Sequence, residues 1–296
     1  MSNSTGKATP LTKGPLIAFA VLAMVWGYNW VFMKIAMRYC SPMYFALMRV
    51  GGGAIFLFVI VLFMGRPIWP KYPGRVLLLG LLQTTCYLGL ISWAVAHGEA
   101  SKSAVFAYSM PFWVILLSWP LLGERVKGFQ WLAVAMAFLG LVLIVKPWVI
   151  NAGLEDNLLG ILAGFAWGGS VIVFKKIPTS GMKDLISVTT WQMIFGLPIL
   201  ALAAFSIHEP PIQWNPVLIG AIVYNVIAAT VVAWVLWYYL LQKLPANVSS
   251  LSVLIVPVVG VVAAWIQLGE QPGPIVGTGM ICMVIALGIT AVTNKG

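Results

Sequence analysis

The sequence repeats itself at a fixed distance, and this repeat restricts the fold more than any other feature. The pattern Pro-x11-Gly-Glu begins at Pro111 and occurs again 146 positions later, at Pro257. Further identities at this offset are Ala100 with Ala246, Ser103 with Ser249, Trp119 with Trp265, Leu122 with Leu268, and Leu141 with Leu287. Earlier in the chain the offset is 141, which relates Trp26-Gly27 to Trp167-Gly168 and Lys34 to Lys175. So many identities in register indicate two copies of one unit.

Each copy consists of segments that can cross a membrane. The chain is 61% hydrophobic and 8% charged, which excludes an ordinary water-soluble domain. Apolar stretches of about 20 residues recur, and they are continuously apolar, as in membrane helices, without the period-two alternation of a barrel. We therefore predict an all-α membrane protein with ten transmembrane helices. The spans are 15–37, 42–64, 74–97, 102–122, 128–146, 157–177, 184–206, 216–242, 247–268 and 273–293.

The basic residues in the loops predict the orientation. With a cytoplasmic N-terminus, twelve lie on the cytoplasmic side: Lys7, Lys13, Arg66, Lys71, Arg75, Arg125, Lys127, Lys175, Lys176, Lys183, Lys243 and Lys295. Only Arg38, Lys102 and Lys146 then lie outside, which satisfies the positive-inside rule. Both termini are predicted to be cytoplasmic. This topology also accounts for the net charge of +10, so we expect no nucleic-acid partner.

The repeat also predicts the domain organisation. We divide the chain into a cytoplasmic tail (1–14), a first five-helix repeat (15–146), an outer linker (147–156), a second five-helix repeat (157–293) and a second cytoplasmic tail (294–296). Because five is odd, the second copy enters the membrane from the opposite side. Such inverted repeats are typical of secondary transporters, whose binding site lies near the midplane between the halves. Some channels share this architecture, so the pattern favours transport in general.

These motifs resemble a known family. Trp-Gly in the first helix of each copy, with Pro…Leu-Gly-Glu between the fourth and fifth, is similar to the EamA-type branch of the drug/metabolite transporter superfamily. The runs from Trp26 to Lys34 and from Lys102 to Trp113 resemble those of YddG-like bacterial amino-acid and metabolite exporters. The resemblance implies a multi-pass protein of the bacterial inner membrane. It further implies export of small metabolites, including amino acids with aromatic or other bulky side chains.

Polar and amphipathic side chains inside the spans are the candidates for substrate binding, because they are costly when they face lipid. Trp26, Asn29, Trp30 and Met33 share one face of a helix, and Trp167 and Ser170 repeat part of that face. The alternative role of the two tryptophans is packing between helices. The predicted substrate-binding residues are Trp26, Asn29, Gln83, Tyr87, Tyr108, Trp167, Ser170, Tyr224 and Asn225.

Other intramembrane residues have two alternative roles each. Arg49 could attract a substrate carboxylate, or it could bond backbone carbonyls or extend to the interface. Pro111 and Pro257 are expected to kink helices near the pathway, where the freed carbonyls could contact a substrate ammonium or the kink could only shape the cavity. Each glutamate of the repeat is interpreted as favouring the start of the helix that follows it. A cluster near Lys243, namely Trp234, Trp237, Tyr238 and Tyr239, is interpreted as a cytoplasmic interfacial belt.

The positions of the acidic residues bear on the mechanism. All seven fall at helix ends or in loops: Glu99, Glu124, Glu155, Asp156, Asp184, Glu209 and Glu270. Proton-coupled carriers commonly use a carboxylate within the membrane, so the sequence favours facilitated movement by alternating access. The alternatives are an exporter of drugs or lipophilic cations, and a receptor or scaffold without transport activity.

The sequence offers little for catalysis. His97 and His208 lie in separate outer loops, and Cys40, Cys86 and Cys282 show no spacing typical of a metal site or disulfide framework. We therefore expect no enzyme, no cofactor and no metal. Ten spans can enclose a cavity unaided, so a monomer is expected, with the lipid bilayer and a small-molecule metabolite as its partners.

Overall fold

The structure is a computed structural model that describes residues 13–65, 67–97, 107–146, 148, 154–206, 210–269 and 271–293. Within these ranges, the side chains of residues 94–97, 145, 154–157 and 268 are not described. The predicted spans 74–97 and 102–122 therefore meet in a region, 98–106, that lies outside the described residues. His97 as a side chain, Lys102, His208 and Glu270 also fall outside them.

The described residues fold into helices, numbered here α1 to α10 in chain order. The first five are α1 (Lys13–Ala36), α2 (Pro42–Phe63), α3 (Pro73–Gly80, Leu81–Leu88 and Gly89–His97 without interruption), α4 (Met110–Leu122) and α5 (Gln130–Val145). The second five are α6 (Leu154–Lys175), α7 (Gly181–Ser206), α8 (Pro216–Tyr224, Asn225–Val232 and Ala233–Lys243 without interruption), α9 (Ala246–Ser252 and Ile255–Leu268) and α10 (Pro274–Thr293).

The predicted all-α membrane class is confirmed at this level. Among the described residues, eight helices are long and apolar enough to cross a membrane: α1, α2, α3, α6, α7, α8, α9 and α10. The helices α4 and α5 are apolar but shorter. Whether all ten cross the membrane stays a prediction.

The two glycines of the repeat end their helices in the same way. Gly123 follows α4 with φ of 73°, and Gly269 follows α9 with φ of 71°, both in the left-handed region that suits glycine. The backbone N–H of Gly123 donates to the carbonyl of Trp119 at 3.1 Å, and that of Gly269 donates to Trp265 at the same distance. The repeated glycine is therefore a helix terminator in both copies.

Two further irregularities occur at related positions. The third helix of each copy contains an eight-residue π-helical segment, Leu81–Leu88 in α3 and Asn225–Val232 in α8. The π-helical conformation is rare in proteins, and where it occurs it is often found at a functional site. The helix α9 is interrupted at Val253 and Leu254, shortly before Pro257, and α4 begins at Met110 directly before Pro111. Each proline thus lies in the first turn of a helix, where its missing N–H is tolerated.

The packing of the helices is the same when the two copies are exchanged. The helix α1 packs on α9 as α6 packs on α4, α3 packs on α7 as α8 packs on α2, and α3 packs on α6 as α8 packs on α1. The pairs α2–α7, α4–α9 and α5–α10 are their own counterparts. The glycine of the repeated Trp-Gly motif allows close approach in one of these related contacts. A Cβ added at Gly168 in α6 would lie 2.8 Å from the Cβ of Trp113 in α4, and one added at Gly27 in α1 would collide with Val259 in α9.

Hydrogen bonds between loops define the two ends of the helix bundle. At one end, Lys175 donates to the carbonyl of Leu244 at 2.9 Å, joining the C-terminus of α6 to that of α8. We call this the Lys175 end. At the other end, the N–H of Gln213 donates to the carbonyl of Tyr39 at 2.9 Å, joining the α1–α2 loop to the segment before α8. We call this the Tyr39 end.

Candidate functional site

A cavity of about 740 Å³, a volume that includes open solvent at its mouth, lies between α1, α2, α3, α6, α8 and Tyr108, which precedes α4. Its wall extends toward the Tyr39 end through Met37 and Pro42. The lining residues are Trp26, Asn29, Trp30, Met33, Met37, Pro42, Phe45, Ala46, Arg49, Tyr87, Leu88, Ile91, Ser92, Tyr108, Trp167 and Trp234. Both copies of the repeat therefore contribute side chains to one concave site.

Four tryptophans close the cavity toward the Lys175 end, and we call them the tryptophan floor: Trp26, Trp167, Trp234 and Trp237. The ring of Trp26 lies 5.0 Å from Trp234 and 5.9 Å from Trp167, with the edge-to-face geometry that aromatic pairs prefer. The indole N–H of Trp26 donates to the carbonyl of Ala229 at 3.1 Å. The repeated tryptophans thus meet at the base of the cavity, where they both pack helices and line the site.

The prediction of a cytoplasmic interfacial belt near Lys243 is wrong for three of its four residues. Trp234, Trp237 and Tyr238 are at most 3% exposed, because they face α1 and α6 inside the bundle. The ring of Tyr239 lies 6.0 Å from the ammonium of Lys243, and its place in an interfacial belt stays a prediction. The buried three extend the aromatic base of the cavity toward the Lys175 end.

The side wall of the cavity offers aromatic faces. Tyr87 stacks on Trp167, with ring centroids 4.8 Å apart and planes 28° from parallel. Trp30 donates its indole N–H to the hydroxyl of Tyr108 at 3.0 Å, which fixes both rings. Rigid aromatic faces of this kind bind flat or bulky apolar groups without losing much conformational entropy.

A single buried cation stands in this wall among its described residues. Arg49 is 7% exposed, and its Nε donates to the hydroxyl of Thr230 at 3.2 Å while an Nη donates to the carbonyl of Ala229 at 3.4 Å. These contacts use two of the five N–H donors of a guanidinium. No carboxylate among the described residues forms an ion pair with it. The arginine therefore bonds a backbone carbonyl, as one of its two expected roles requires, and it lines the cavity. Its attraction of a substrate carboxylate stays a prediction.

A contact related to that between Arg49 and Thr230, but formed by uncharged side chains, joins two other helices. The hydroxyl of Thr84 donates to the side-chain oxygen of Gln192 at 2.8 Å. Gln192 follows Arg49 by 143 positions, and Thr230 follows Thr84 by 146. Both threonines lie in the π-helical segments of α3 and α8. Related residues thus join related helices, but only the first copy places a charge there.

Asn29 adds an acceptor to the wall. Its amide nitrogen donates to the sulfur of Met33 at 3.1 Å, whereas its buried carbonyl oxygen has no hydrogen-bond partner among the described residues. A buried acceptor without a partner is destabilising, and a hydrogen bond from a donor on a bound molecule would remove this cost.

Four predicted site residues lie behind the wall. The hydroxyl oxygen of Ser170 is 2.5 Å from Oε1 of Gln83 and joins α6 to α3. Tyr224 donates to the carbonyl of Val25 at 2.8 Å and Asn225 donates to that of Ala221 at 3.1 Å. Pro111 and Pro257 are likewise not among the lining residues. Contact of these six with a substrate stays a prediction.

Six predicted residues are brought together in the wall: Trp26, Asn29, Arg49, Tyr87, Tyr108 and Trp167. Helical spacing also identified Trp30 and Met33 as part of the same face. The sequence missed the remaining lining residues: Met37, Pro42, Phe45, Ala46, Leu88, Ile91, Ser92 and Trp234. Most are apolar and cannot be distinguished by sequence from residues that face lipid.

In the part of the chain that the structure describes, no cluster of His, Cys, Asp or Glu could hold a metal ion.

A multi-pass helical membrane protein built from two related halves around a shared cavity has the architecture of a small-molecule transporter. The chain belongs to the EamA-like transporter family, whose model matches residues 13–146 and again 156–292. The resemblance drawn from the Trp-Gly and Gly-Glu motifs is thereby confirmed.

Individual proteins agree with this assignment. The chain is 25% identical over 275 residues to an uncharacterized transporter, YoaV, of Bacillus subtilis (strain 168), covering 90% of this chain and 94% of that protein. It is 26% identical over 272 residues to a probable amino-acid metabolite efflux pump of Escherichia coli (strain K12), covering 88% of each. A solved crystal structure with 16% identity shares the fold, with a TM-score of 0.77 over 95% of this chain and 97% of the other.

Proposed function

We propose that this protein is an inner-membrane carrier that exports small metabolites, namely amino acids with aromatic or other bulky side chains. The observation that carries the proposal is the pairing of a buried guanidinium, Arg49, with aromatic walls in one cavity. An amino acid presents a carboxylate, an ammonium and a side chain, and the cavity offers a complement to each. The relative in Escherichia coli, named a probable amino-acid metabolite efflux pump, supports the same class of substrate.

The substrate carboxylate binds the unused donors of Arg49, because guanidinium and carboxylate form strong, charge-assisted hydrogen bonds. The substrate ammonium donates to the unpartnered carbonyl oxygen of Asn29. The side chain then lies against Tyr87 and Trp167, whose stacked rings form an apolar face. All three groups come from the described cavity wall.

A lipophilic cation fits this wall less well. The described lining residues include no acidic side chain, and Arg49 would repel a positive charge in a site of low dielectric. The aromatic rings could bind such a cation, but the arginine favours a molecule that carries a carboxylate.

Transport proceeds by alternating access between inverted repeats. The basic residues described near the Lys175 end support a cytoplasmic assignment for it: Lys71, Arg75, Arg125, Lys127, Lys175, Lys176, Lys183 and Lys243. Both termini are then cytoplasmic, and the cavity, which reaches the Tyr39 end, opens outward. One chain contains the whole cavity, which supports a monomeric carrier.

Facilitated movement accounts for the positions of the described acidic groups. Glu124 follows the end of α4 and Asp184 lies in the first turn of α7, so neither lies in the cavity wall. The substrate moves down its own gradient, without a carboxylate that exchanges a proton in the membrane.

Purified protein in proteoliposomes tests the proposal. Radiolabelled amino acids, nucleosides and cationic dyes are compared in counterflow at equal pH on both sides. We expect counterflow of amino acids with large side chains and little of the dyes. Flux of dyes without flux of amino acids would contradict the substrate class. Transport that strictly requires a pH gradient would contradict the facilitated mechanism.

A further inference from the structure

The glutamate of the first Gly-Glu pair contacts the other half of the protein. Glu124 follows the left-handed Gly123 at the end of α4, and its Oε2 accepts a hydrogen bond at 3.2 Å from the backbone N–H of Asn247. Asn247 is the second residue of α9. The sequence had suggested that this carboxylate favours the start of the next helix, α5, and that interpretation is wrong. Glu124 stabilises the N-terminus of α9, where backbone N–H groups have no partner within the helix.

Lys175 completes the arrangement at the C-terminus of another helix. Its ammonium donates to the carbonyls of Leu241 at 3.0 Å and Leu244 at 2.9 Å, which end α8. The same ammonium lies 4.0 Å from Oε1 of Glu124. A cation at the end of one helix and an anion at the start of the next match the dipoles of both helices. The backbone contacts are shorter than the ion pair, so they dominate the arrangement.

These contacts connect the two helix groups between which the cavity lies. Glu124 directly follows α4, and Lys175 is the last residue of α6. The helices α4 and α6 pack with each other, and α6 also packs with α3. Leu241 lies in α8, Leu244 directly follows it, and Asn247 lies in α9. Both helices pack on α1. Toward the Tyr39 end the cavity separates α3 from α1. The groups that are apart at the open end are therefore joined at the closed end.

The tryptophan floor and the buried residues between it and these contacts include polar groups without a hydrogen-bond partner among the described residues. The indole N–H of Trp237, the hydroxyl of Tyr238 and the hydroxyl of Ser249 are buried without a hydrogen-bond partner among the described residues. Each would gain hydrogen bonds if water entered, so their desolvation opposes the closed packing. Closure at this end therefore needs a compensating interaction.

We propose that Glu124 and Lys175 form a lock that keeps the Lys175 end closed, by holding the start of α9 and the end of α8 against α4 and α6. The inference rests on the alternating-access part of the proposed function. It assigns to the repeated glutamate a role in the conformational equilibrium rather than in substrate contact. Loss of the lock shifts the population toward a state that is open at the Lys175 end and closed at the Tyr39 end.

Cysteine accessibility tests this equilibrium without any substrate. The three native cysteines are first replaced by alanine. A single cysteine probe is then added, either Ser249→Cys in the buried region beyond the tryptophan floor or Ser92→Cys in the cavity wall. A small, membrane-permeant maleimide measures how fast water reaches each probe. In the Glu124→Gln variant we expect labelling of the S249C probe to become about tenfold faster and labelling of the S92C probe to slow, because a charge-assisted hydrogen bond is lost. Lys175→Gln serves as a second variant with the same expected direction if the first folds poorly.

The control variants separate a lock from general loosening. Lys127→Gln changes the charge of the same loop at an exposed side chain and should leave both rates unchanged. A combined Glu124→Lys and Lys175→Glu exchange should remain unlocked, because an ammonium cannot accept from the N–H of Asn247 and a carboxylate cannot donate to the carbonyls of α8.

Three outcomes would overturn the lock. They are an unchanged rate at S249C in both neutralised variants, faster labelling at both probes, and restoration of the original rates by the charge exchange. The proposed substrate is tested separately, because opposite changes at the two probes without amino-acid counterflow would contradict the substrate class and leave the lock standing.

Discussion

Thr84 donates a hydrogen bond to Gln192, with 2.8 Å between the two oxygen atoms, and thereby joins α3 to α7. Arg49 and Thr230 make the related contact between α2 and α8. The architecture therefore accepts either an amide or a guanidinium at this joint. Among the described lining residues, the charge at this position belongs to the first half alone.

Replacing Arg49 by glutamine tests whether the charge serves the substrate. We expect the Arg49→Gln variant to fold, since Gln192 already occupies the related position, but to bind amino acids about 10-fold to 100-fold more weakly. The measurement is the half-saturating concentration for counterflow in proteoliposomes. Decarboxylated analogues of the same amino acids serve as control substrates. Equal loss for the analogues and the amino acids would assign Arg49 a purely structural role.

Asn29→Ala should lower transport without lowering stability. The substitution removes a buried carbonyl oxygen that has no partner among the described residues, so the melting temperature should stay the same or rise. Flux should fall because the acceptor for the substrate ammonium is lost. Ser118→Ala, at a buried site of α4 outside the cavity wall, is the matched control. A variant of Asn29 that melts lower and transports normally would reverse both expectations.

The two tryptophans of the repeat should differ in their effect on stability. Trp26 donates its indole N–H to Ala229, whereas the buried N–H of Trp167 has no partner among the described residues. Phenylalanine keeps an aromatic ring at either site, so Trp26→Phe should destabilise the protein by about 1 kcal/mol more than Trp167→Phe. Thermal unfolding of both variants in the same detergent gives this difference. Equal melting temperatures would mean that the N–H of Trp26 contributes nothing measurable.

Close packing between α4 and α6 should make Gly168 intolerant of a side chain. A Cβ there would lie 2.8 Å from the Cβ of Trp113 and 3.4 Å from the carbonyl of Met110. We expect Gly168→Ala to destabilise the fold by about 1–3 kcal/mol, as overpacked cores do. Gly220→Ala is the control, because nothing lies within 4 Å of its added Cβ and alanine favours a helix. Equal melting temperatures for the two variants would contradict the tight α4–α6 contact.

Sequence reasoning succeeded where the repeat imposes local geometry. Gly123 and Gly269 end helices, and Trp26 and Trp167 meet, because these features depend on short-range conformation or on the symmetry of the copies. The sequence could not show that Gln83 and Ser170 contact each other, since partners 87 positions apart are set by packing. Trp234 was misplaced because an aromatic near Lys243 at a helix end resembles an interfacial residue. Its neighbours, not its sequence position, place it inside the bundle.

The helices α5 and α10 pack closely on each other and lie outside the cavity wall. A Cβ added at Gly279 would lie 2.8 Å from the carbonyl oxygen of Gly140, and one added at Gly140 would lie 2.8 Å from that of Gly279. Neither helix contributes to the described cavity wall. Each half therefore contributes one helix to a contact that lies apart from the helices lining the cavity. Because this contact and the cavity wall share no residue, substitutions in the wall leave the α5–α10 contact between the halves intact.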